Sequence, residues 1–185
     1  MRFVINKLSE HWNNPYRGAG IIFVTRSADG TPEVFAGRRR RPPSAGRWVL
    51  VGGELDPIED GSYFDCACRE ASEETCNHLP LDEHLRQWLP SDFSADTVEK
   101  RTLKLHWYEW QTFLVPLKER PPQDVWPCKN AEFLFEFSEA QWFPLSELLK
   151  LRLSWLLRFD LWRFRNSPAT SLSPAASKAV SSCGC

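Results

Sequence analysis

The chain has 185 residues, 42% of them apolar, and a formal net charge of −1. These values indicate one globular domain with a sizeable core, and the near-zero charge argues against a general binder of nucleic acid or of membrane surfaces. The amino-terminal stretch lacks the apolar core of a signal peptide, no apolar run reaches transmembrane length, and the six cysteines are expected to be reduced thiols, which together predict a cytoplasmic protein.

The first third of the chain is predicted to form short strands. Residues 1–17 indicate an irregular lead or a short edge strand. Gly18 to Arg26 is an apolar run that turn residues join to Glu33 to Arg38, which predicts a β-hairpin. After a break that contains proline and glycine, Trp48 to Val51 predicts a further strand, and this strand ends at the double glycine Gly52-Gly53.

A helix is predicted to follow the double glycine. Ser62 is a good N-cap, and Asp65 can close a capping box with it. Small apolar residues then recur at helical spacing, which predicts close packing against a sheet. At about 100° per residue, Glu70, Glu73 and Glu74 fall within roughly a 100° arc on a neighbouring face. The helix therefore carries a cluster of carboxylates.

The second half of the chain mixes strands and helices. Residues 81–89 carry leucines at the spacing of a short helix, and residues 102–118 are the longest β-like stretch, whose change of apolar face predicts a bulge or two strands. Residues 132–137 predict a strand with three phenylalanines on one face. Residues 145–164 predict one largely packed helix. From residue 166 the chain is rich in Ser, Ala and Pro and is predicted to be a disordered tail.

This order of elements predicts an α/β (α+β) protein in which a mixed β-sheet is covered by helices on both faces. The domain is expected to span residues 1–165, and the tail residues 166–185.

The cluster of glutamates has two interpretations. Three glutamates on a helix are commonly a solvated acidic face, at a small repulsive cost. Here no basic residue except Arg69 lies near them, and a glycine turn precedes the helix. Clustered carboxylates beside an open backbone turn suit a hard divalent cation, and Mg²⁺ in proteins commonly works together with substrate phosphates. This second interpretation predicts phosphate chemistry.

The same residues resemble the signature of the Nudix hydrolases. Gly53, five residues and Glu59 match its front half, and Arg69-Glu70-Ala71-Ser72-Glu73-Glu74 matches its helical half. Nine residues instead of the family's seven separate Glu59 from Arg69, so the loop before the helix is two residues longer. Cys76-Asn77 replaces a glycine and an apolar residue, and Asn77 can end the helix in a left-handed conformation.

The resemblance implies an α/β/α sandwich in which the signature forms a strand–loop–helix motif. It also implies that Glu70, Glu73 and Glu74 bind Mg²⁺, with Mn²⁺ as an alternative, and that the Gly52 carbonyl joins them. Arg69 would orient the glutamates. The partner of Arg69 would be Glu59, with Gly53 at the start of the signature; alternatively, Arg69 is a surface charge that pairs with Glu73.

The general base is left open by the resemblance. In this family it is either a signature glutamate, here Glu70 or Glu73, or an acid from a later loop or strand. The later candidates are Glu132, Glu136 and Glu139, with Glu136 preferred. The alternative for Glu136 is ordinary polarity on the exposed face of a strand.

Two further groups are candidates for substrate contacts. Arg38 and Arg39 end a predicted strand and can hold phosphates through paired hydrogen bonds, although solvated charges are an equal alternative. Four tryptophans can stack on a base, although core packing is the more common role of a tryptophan. These are Trp107, Trp110, Trp126 and Trp142.

The leading functional hypothesis is a Mg²⁺-dependent pyrophosphohydrolase that cleaves the diphosphate of a nucleoside diphosphate linked to another moiety. A nucleoside triphosphate, ADP-ribose, a nucleotide sugar and a dinucleoside polyphosphate all fit. The alternative is a catalytically silent Nudix-like module that senses a nucleotide or binds a partner. A third hypothesis, isomerisation of an isoprenoid diphosphate, requires a cysteine in the pocket. The expected partner is a small nucleotide, a homodimer is possible, and neither a membrane nor nucleic acid is expected.

Overall fold

A mixed β-sheet forms the centre of the protein, and its strands and helices are defined by the computed structural model over residues 15–164. The strands are β1 (Tyr16–Arg26), β2 (Pro32–Arg39), β3 (Trp48–Val49), β4 (Val51–Glu54), β5 (Glu99–Leu105), β6 (Tyr108–Pro116) and β7 (Phe137–Pro144). The helices are α1 (Tyr63–Thr75), α2 (Leu81–His84), α3 (Ala131–Glu136), α4 (Leu145–Leu148) and α5 (Trp155–Phe164).

Strand β1 organises the sheet. It pairs antiparallel with β2 and β4 and parallel with β6, while β5 pairs antiparallel with β6. Strands β3 and β7 both pair with β2. Because β1 has partners along both edges and layers on both faces, its middle is apolar throughout rather than alternating, as expected of a doubly covered strand. The predicted hairpin of β1 and β2 is confirmed.

Two apolar cores lie on opposite faces of this sheet, which confirms the predicted sandwich. Alternate residues of β1 divide between the cores, since successive side chains of a strand point to opposite faces. Ile21 and Phe23 pack against α1 and α2. Ile22 and Val24 pack against α4 and α5. No helix within residues 15–164 is both long enough and apolar enough to cross a membrane.

Helix α1 begins and ends as the sequence predicts. Ser62 is its N-cap, with Oγ accepting a hydrogen bond from the Asp65 N–H and donating one to the Asp65 carboxylate. Past the carboxyl end, Asn77 and His78 have φ of 54° and 64°, which is the left-handed conformation that asparagine tolerates. The cap positions therefore confirm the bounds of the helix that carries the glutamates.

The prediction of a strand over residues 132–137 is wrong, because α3 ends at Glu136 and β7 begins at Phe137. Asn130 explains the difference: its side-chain oxygen accepts a hydrogen bond from the Phe133 N–H at 2.7 Å and caps the helix. The phenylalanines follow a helical period instead of alternation, with Phe133 and Phe137 buried and Phe135 45% exposed.

The single helix predicted over residues 145–164 is also wrong, since α4 and α5 are separate. Between them, Leu153 bridges to Trp48 of β3, and the Ser154 hydroxyl accepts from the Leu157 N–H to cap α5. Helix α5 is not packed all round, because Trp155 and Trp162 are each 56% exposed.

Other predicted elements need smaller changes. The strand predicted over residues 48–51 is divided between β3 and β4, and the stretch over 102–118 forms β5 and β6, as the alternative of two strands stated. The short helix within 81–89 is α2, and it ends at His84. The boundary at residue 165, the tail over 166–185 and the lead over 1–14 lie outside the described residues.

Candidate active site

A polar cleft of about 280 Å³ opens where β4, α1 and α3 meet. Most of the residues singled out in the sequence line it, although they are spread over about a hundred positions of the chain. The lining consists of Tyr16, Arg39, Gly52, Gly53, Glu54, Glu70, Glu73, Glu74, Glu132 and Glu136. The fold thus joins the carboxylates of α1 to those of α3.

The double glycine allows two close approaches at the floor of this cleft. Gly52 has a φ of +147°, and a Cβ there would lie 2.3 Å from the Ala19 carbonyl oxygen of the neighbouring strand. A Cβ on Gly53 would lie 2.3 Å from Glu70 Oε2. The space left by the missing side chain is therefore occupied by the Glu70 carboxylate, which packs directly on the strand.

Substituting Gly53 by alanine is expected to displace the Glu70 carboxylate. Because the φ of Gly53 is not in the left-handed region, the added methyl group conflicts chiefly with that carboxylate. We expect an affinity for Mg²⁺ about 10-fold weaker, as is typical when a ligand loses its support, with a change in unfolding free energy within about 1 kcal/mol. Calorimetric metal titration and denaturant unfolding measure the two effects.

Gly61→Ala is the matched control, since its Cβ would lie 3.2 Å from only the flexible end of Asp65. Equal metal affinity in Gly53→Ala and the wild type would contradict the placement of Glu70 as a ligand.

Glu74 of α1 is a buried carboxylate, and Glu70 is a mostly buried one whose side chain is 17% exposed. Glu74 is 5% exposed and accepts a hydrogen bond from the Gly52 N–H at 3.0 Å. Burial, and next the nearby charge of Glu70, raise the pKa of Glu74 well above its ordinary value. Burial raises the pKa of Glu70 to about 7, although the charge of Arg69 opposes that shift. A cation placed between these groups would reverse both effects.

The three helix glutamates are near one another but do not form a finished ligand cage. Within residues 15–164, no three His, Cys, Asp or Glu side chains lie in the arrangement of a metal site. Arg69 lies among these carboxylates, and its Nη1 is 2.9 Å from Glu70 Oε1 and 3.3 Å from Glu73 Oε2. The donor set still suits a hard divalent ion, since it combines buried carboxylate oxygens with an open backbone turn.

The metal-free protein is expected to lose stability as pH rises. Folded Glu70 and Glu74 hold protons that their unfolded counterparts release from about pH 4.5 upward. Between pH 4.5 and pH 7, the pKa of Glu70 alone lowers the free energy of unfolding by up to about 3 kcal/mol. Urea unfolding at a series of pH values with a chelator present measures this slope.

Glu74→Gln should flatten this dependence, because glutamine mimics the protonated acid and still accepts from the Gly52 N–H. Glu83→Gln, on the exposed face of α2, should leave the slope unchanged. Added Mg²⁺ should stabilise the wild type more at pH 8 than at pH 6, since binding requires ionised carboxylates. If Glu74→Gln left the pH dependence of the unfolding free energy unchanged, the buried Glu74 carboxylate would not be its cause.

Asp60, and not the predicted Glu59, is the main partner of Arg69. Asp60 accepts two hydrogen bonds from the guanidinium, both at 2.9 Å, and its side chain is 1% exposed. Burial by itself would raise the pKa of Asp60, but hydrogen bonds from Arg69 and from the Asp56 N–H outweigh it and lower that pKa. Glu59 lies 4.0 Å from Arg69 Nε with a side chain 64% exposed. The longer loop has moved the supporting acid by one position.

Asp60→Asn is expected to be far more damaging than Glu59→Gln. Loss of the buried charge leaves Arg69 with incomplete pairing, so the unfolding free energy should fall by about 1–3 kcal/mol and metal affinity by about 10-fold. The exposed Glu59 pair should be worth less than about 0.5 kcal/mol. Urea unfolding and metal titration of both variants decide the order, and a larger loss in Glu59→Gln would contradict it.

Helix α3 brings two of the three later acids into the cleft. Glu132 and Glu136 line it, whereas Glu139 lies on β7 and pairs at 3.0 Å with the exposed Arg38. Asn130 ties α3 to α1, because its side-chain amide donates to the Glu73 carbonyl at 3.1 Å. The Glu136 carbonyl in turn accepts from the Arg40 N–H at 2.8 Å. Glu136 is thus held against the acidic face of α1.

The two predicted phosphate-binding arginines have different surroundings. Arg39 lines the cleft, and its Nη1 lies 3.0 Å from Glu136 Oε2, with both side chains mostly buried. Arg39 Nε and Glu136 Oε2 are buried without a hydrogen-bond partner among the described residues, so the pair is close but poorly aligned. Arg38 is half exposed and lies outside the lining of the cleft. Only Arg39 is placed to meet a ligand there.

Of the four tryptophans considered for base stacking, three are core residues. Trp110, Trp126 and Trp142 are at most 8% exposed, whereas Trp107 is 40% exposed. The lining of the cleft contributed by residues 15–164 contains no cysteine. This arrangement argues against the isomerase hypothesis, which requires one.

The comparisons with known proteins agree with this architecture. The family model for the NUDIX domain matches residues 15–162. Among solved structures, a C. elegans Ap4A hydrolase binary complex is similar at 20% identity and a TM-score of 0.55, covering 80% of this chain and 94% of that one. The NUDIX domain of Shewanella oneidensis NrtR complexed with ADP ribose is similar at 17% identity and a TM-score of 0.56, covering 85% and 97%.

A third similar structure, the Nudix hydrolase RenU from M. smegmatis, has 19% identity and a TM-score of 0.56 and covers 84% of this chain and 86% of that one. At these identities the structures show a shared fold. No curated protein sequence matches the chain. Because the family model spans most of the chain and the signature residues meet in one cleft, the protein belongs to the Nudix family of hydrolases, which act on phosphoric anhydride bonds.

Proposed function

We propose that the protein is a Mg²⁺-dependent pyrophosphohydrolase that cleaves the diphosphate of a nucleoside diphosphate linked to another moiety. The observation that carries this proposal is that buried Glu74, mostly buried Glu70, Glu73 and Arg39 line one cleft. The pKa values of Glu70 and Glu74 are raised, which is typical of functional sites. Carboxylate oxygens are also the ligands that a hard cation prefers.

Glu70, Glu73, Glu74 and the Gly52 carbonyl would hold the metal, and Mn²⁺ would fit the same oxygen donors. When bound, the metal supplies charge neutralisation at the diphosphate and lowers the pKa of a coordinated water. Asp60 keeps Arg69 against the helix, and Arg69 sets the positions of Glu70 and Glu73 through its two ion pairs. The chain's own contribution is therefore a positioned set of oxygens.

Glu136 is the acid that we assign as general base. It reaches the cleft from α3, opposite the glutamates of α1, and its Oε2 is the buried oxygen without a hydrogen-bond partner among the described residues. Such an oxygen can accept a proton from an attacking water. A phosphate that engages Arg39 would compete with the Arg39–Glu136 ion pair and so release Glu136 Oε2 toward that water. Glu70 and Glu73 are the other candidates, because they lie in the same cleft.

Nucleotide derivatives are the expected substrates. Two of the structures with a similar fold are an Ap4A hydrolase and a NUDIX domain complexed with ADP ribose, and both compounds contain a nucleoside joined to phosphoric anhydrides. A small nucleotide also suits a cleft of about 280 Å³ better than a polymer does. A homodimer and a cytoplasmic location stay predictions from the sequence.

One observation favours a second candidate, a nucleotide-sensing or partner-binding module without catalysis. Arg69 occupies Glu70 and Glu73 with ion pairs, so the ligand cage is unfinished among the described residues. A module of this kind would bind a nucleotide in the cleft and leave it intact.

A panel of nucleoside diphosphate derivatives, incubated with Mg²⁺ and resolved by mass spectrometry, tests the proposal. The expected products are a nucleoside monophosphate and the phosphorylated second moiety. Matched reactions with a chelator should show none. Binding of intact panel members without turnover, at any Mg²⁺ or Mn²⁺ concentration, would overturn the enzyme and support the sensing module.

A further inference from the structure

Four aromatic rings continue the wall of the cleft outward from Tyr16. Tyr16 lines the cleft, and its ring stacks on Tyr108 with centroids 5.4 Å apart and planes 8° from parallel. Trp107 and Trp155 both contact Tyr108, at centroid distances of 6.1 and 5.8 Å and inclinations of 57° and 55°. We call Tyr16, Trp107, Tyr108 and Trp155 the aromatic rim.

Two tryptophans of the rim expose apolar surface to solvent. Trp107 is 40% exposed and Trp155 is 56% exposed, while the neighbouring Trp110 is 5% exposed. Indole surface left in water loses the hydrophobic stabilisation that burial would give it. Grouped exposed rings that adjoin a polar cleft are typical of a ligand site, because apolar patches of this kind mark binding surfaces.

A buried hydrogen-bond chain holds the floor of the rim in place. Tyr108 stacks on Trp110 with planes 6° apart, and Trp110 Nε1 donates to Thr112 Oγ1 at 3.0 Å. Thr112 Oγ1 donates in turn to the buried Asp160 carboxylate of α5. Because Trp110 donates to Thr112 and Thr112 donates to Asp160, the Trp110 ring is fixed in orientation. The ring of Tyr108 therefore rests on a rigid support.

The shape and polarity of the two adjoining surfaces differ. The cleft is lined mainly by carboxylates and glycine backbone and has Tyr16 as its one aromatic lining residue among those described, so it suits metal and phosphate. The rim is formed of flat rings and suits a flat π system. Tyr16 belongs to both surfaces, and Trp155 lies one ring farther away through Tyr108. Because Tyr16 lines the cleft and stacks on Tyr108, the rim begins where the phosphates of a bound nucleotide would lie.

We propose that the aromatic rim is the base-binding subsite, with Trp107 and Trp155 as the exposed rings on which the base stacks. This inference rests on the proposed function for the position of the phosphates. Stacking of a base on an aromatic ring strengthens binding by about 10-fold or more and tolerates different bases. The rim therefore selects nucleotides over sugar phosphates and isoprenoid diphosphates, and it selects weakly among the bases.

Binding of AMP and of ribose 5-phosphate, measured by calorimetry on the full chain with Mg²⁺, tests the rim without requiring turnover. The wild type should bind AMP about 10-fold or more tightly than ribose 5-phosphate. Trp155→Ala should remove most of that difference, and Trp155→Phe should restore much of it, since a ring returns. Ribose 5-phosphate should bind alike to all variants.

Trp162→Ala is the matched control, because Trp162 lies on the same helix, is also 56% exposed and has its ring 6.3 Å from that of Phe159. AMP affinity should be unchanged in this control. Equal binding of AMP and ribose 5-phosphate by the wild type, or an equal loss in Trp162→Ala, would overturn the proposal. So would a dimer that Trp155→Ala converts to a monomer with AMP affinity intact, since the rim would then be a subunit interface.

The outcomes separate this inference from the proposed function. A protein that binds AMP through the rim and hydrolyses no nucleotide supports the subsite and refutes the enzyme. If a nucleotide is hydrolysed, Trp155→Ala should raise KM about 10-fold and leave kcat near the wild-type value, as expected when a contact is equal in ground and transition states. Unchanged KM in that variant would refute the subsite and leave the enzyme standing.

Discussion

Replacing Glu73 and Glu74 together by glutamine is expected to lower Mg²⁺-dependent turnover by about 10³-fold or more. Each substitution removes an anionic oxygen donor from the proposed metal site, and a bound metal contributes several kcal/mol of transition-state stabilisation. The measurement is kcat/KM on a hydrolysed nucleotide across a Mg²⁺ titration. Saturating Mg²⁺ should not restore turnover in the double variant, because a metal bound there would still lack two of its carboxylate ligands.

The same variant is expected to fold. Glutamine at position 74 can still accept from the Gly52 N–H, and the loss of a buried ionisable group should stabilise the metal-free protein at high pH. Glu139→Gln is a suitable control, since Glu139 is an exposed acid outside the lining of the cleft. Turnover in the double variant within 10-fold of that of the wild type would show that these two glutamates are not required metal ligands.

Arg39→Ala is expected to lower kcat/KM by about 10²-fold, and Arg38→Ala to change it by less than about twofold. Arg39 lines the cleft with a buried Nε that lacks a hydrogen-bond partner among the described residues. A charged hydrogen bond to phosphate at such a place is worth about 1.5–3 kcal/mol. Arg38 forms an exposed ion pair with Glu139 instead, and such a pair contributes little free energy. Steady-state kinetics of both variants measure the contrast.

Arg39→Lys separates charge from geometry, because lysine keeps the charge but not the planar fork. We expect it to recover part of the loss. Equal effects of Arg38→Ala and Arg39→Ala would mean that the basic run acts through its general field, and the specific role of Arg39 would be refuted.

Local patterns in the sequence were sufficient for helix α1 and its glutamates. The cap at Ser62, the left-handed end at Asn77 and the spacing of Glu70, Glu73 and Glu74 depend on residues within one or two turns of each other, so they are readable without the fold. The double glycine was also identifiable. The reason for a glycine at position 53 was not identifiable, because the space at Gly53 is occupied by the Glu70 carboxylate, which belongs to another element.

Residues 132–137 show where local pattern fails. Alternating phenylalanines predict a strand, but a short apolar run is ambiguous between strand and helix. The hydrogen bond from the Phe133 N–H to Asn130, and the contact of Asn130 with the Glu73 carbonyl, favour the helix. The second of these contacts joins residues that are distant in the chain, so the position of Glu136 in the cleft was a hypothesis from the sequence and required the tertiary structure.

The sequence by itself determined the family resemblance, the sandwich of helices on a mixed sheet and the helix that carries the glutamates, since these depend on period, caps and a contiguous motif. The tertiary structure alone decided which acid supports Arg69, which arginine faces the cleft and which rings adjoin it. Asp60, Arg39 and Tyr16 acquire these positions from packing between elements. The partners that decide these positions are Arg69, Glu136 and Tyr108, which lie nine or more residues away along the chain. A loop two residues longer is enough to exchange Glu59 for Asp60.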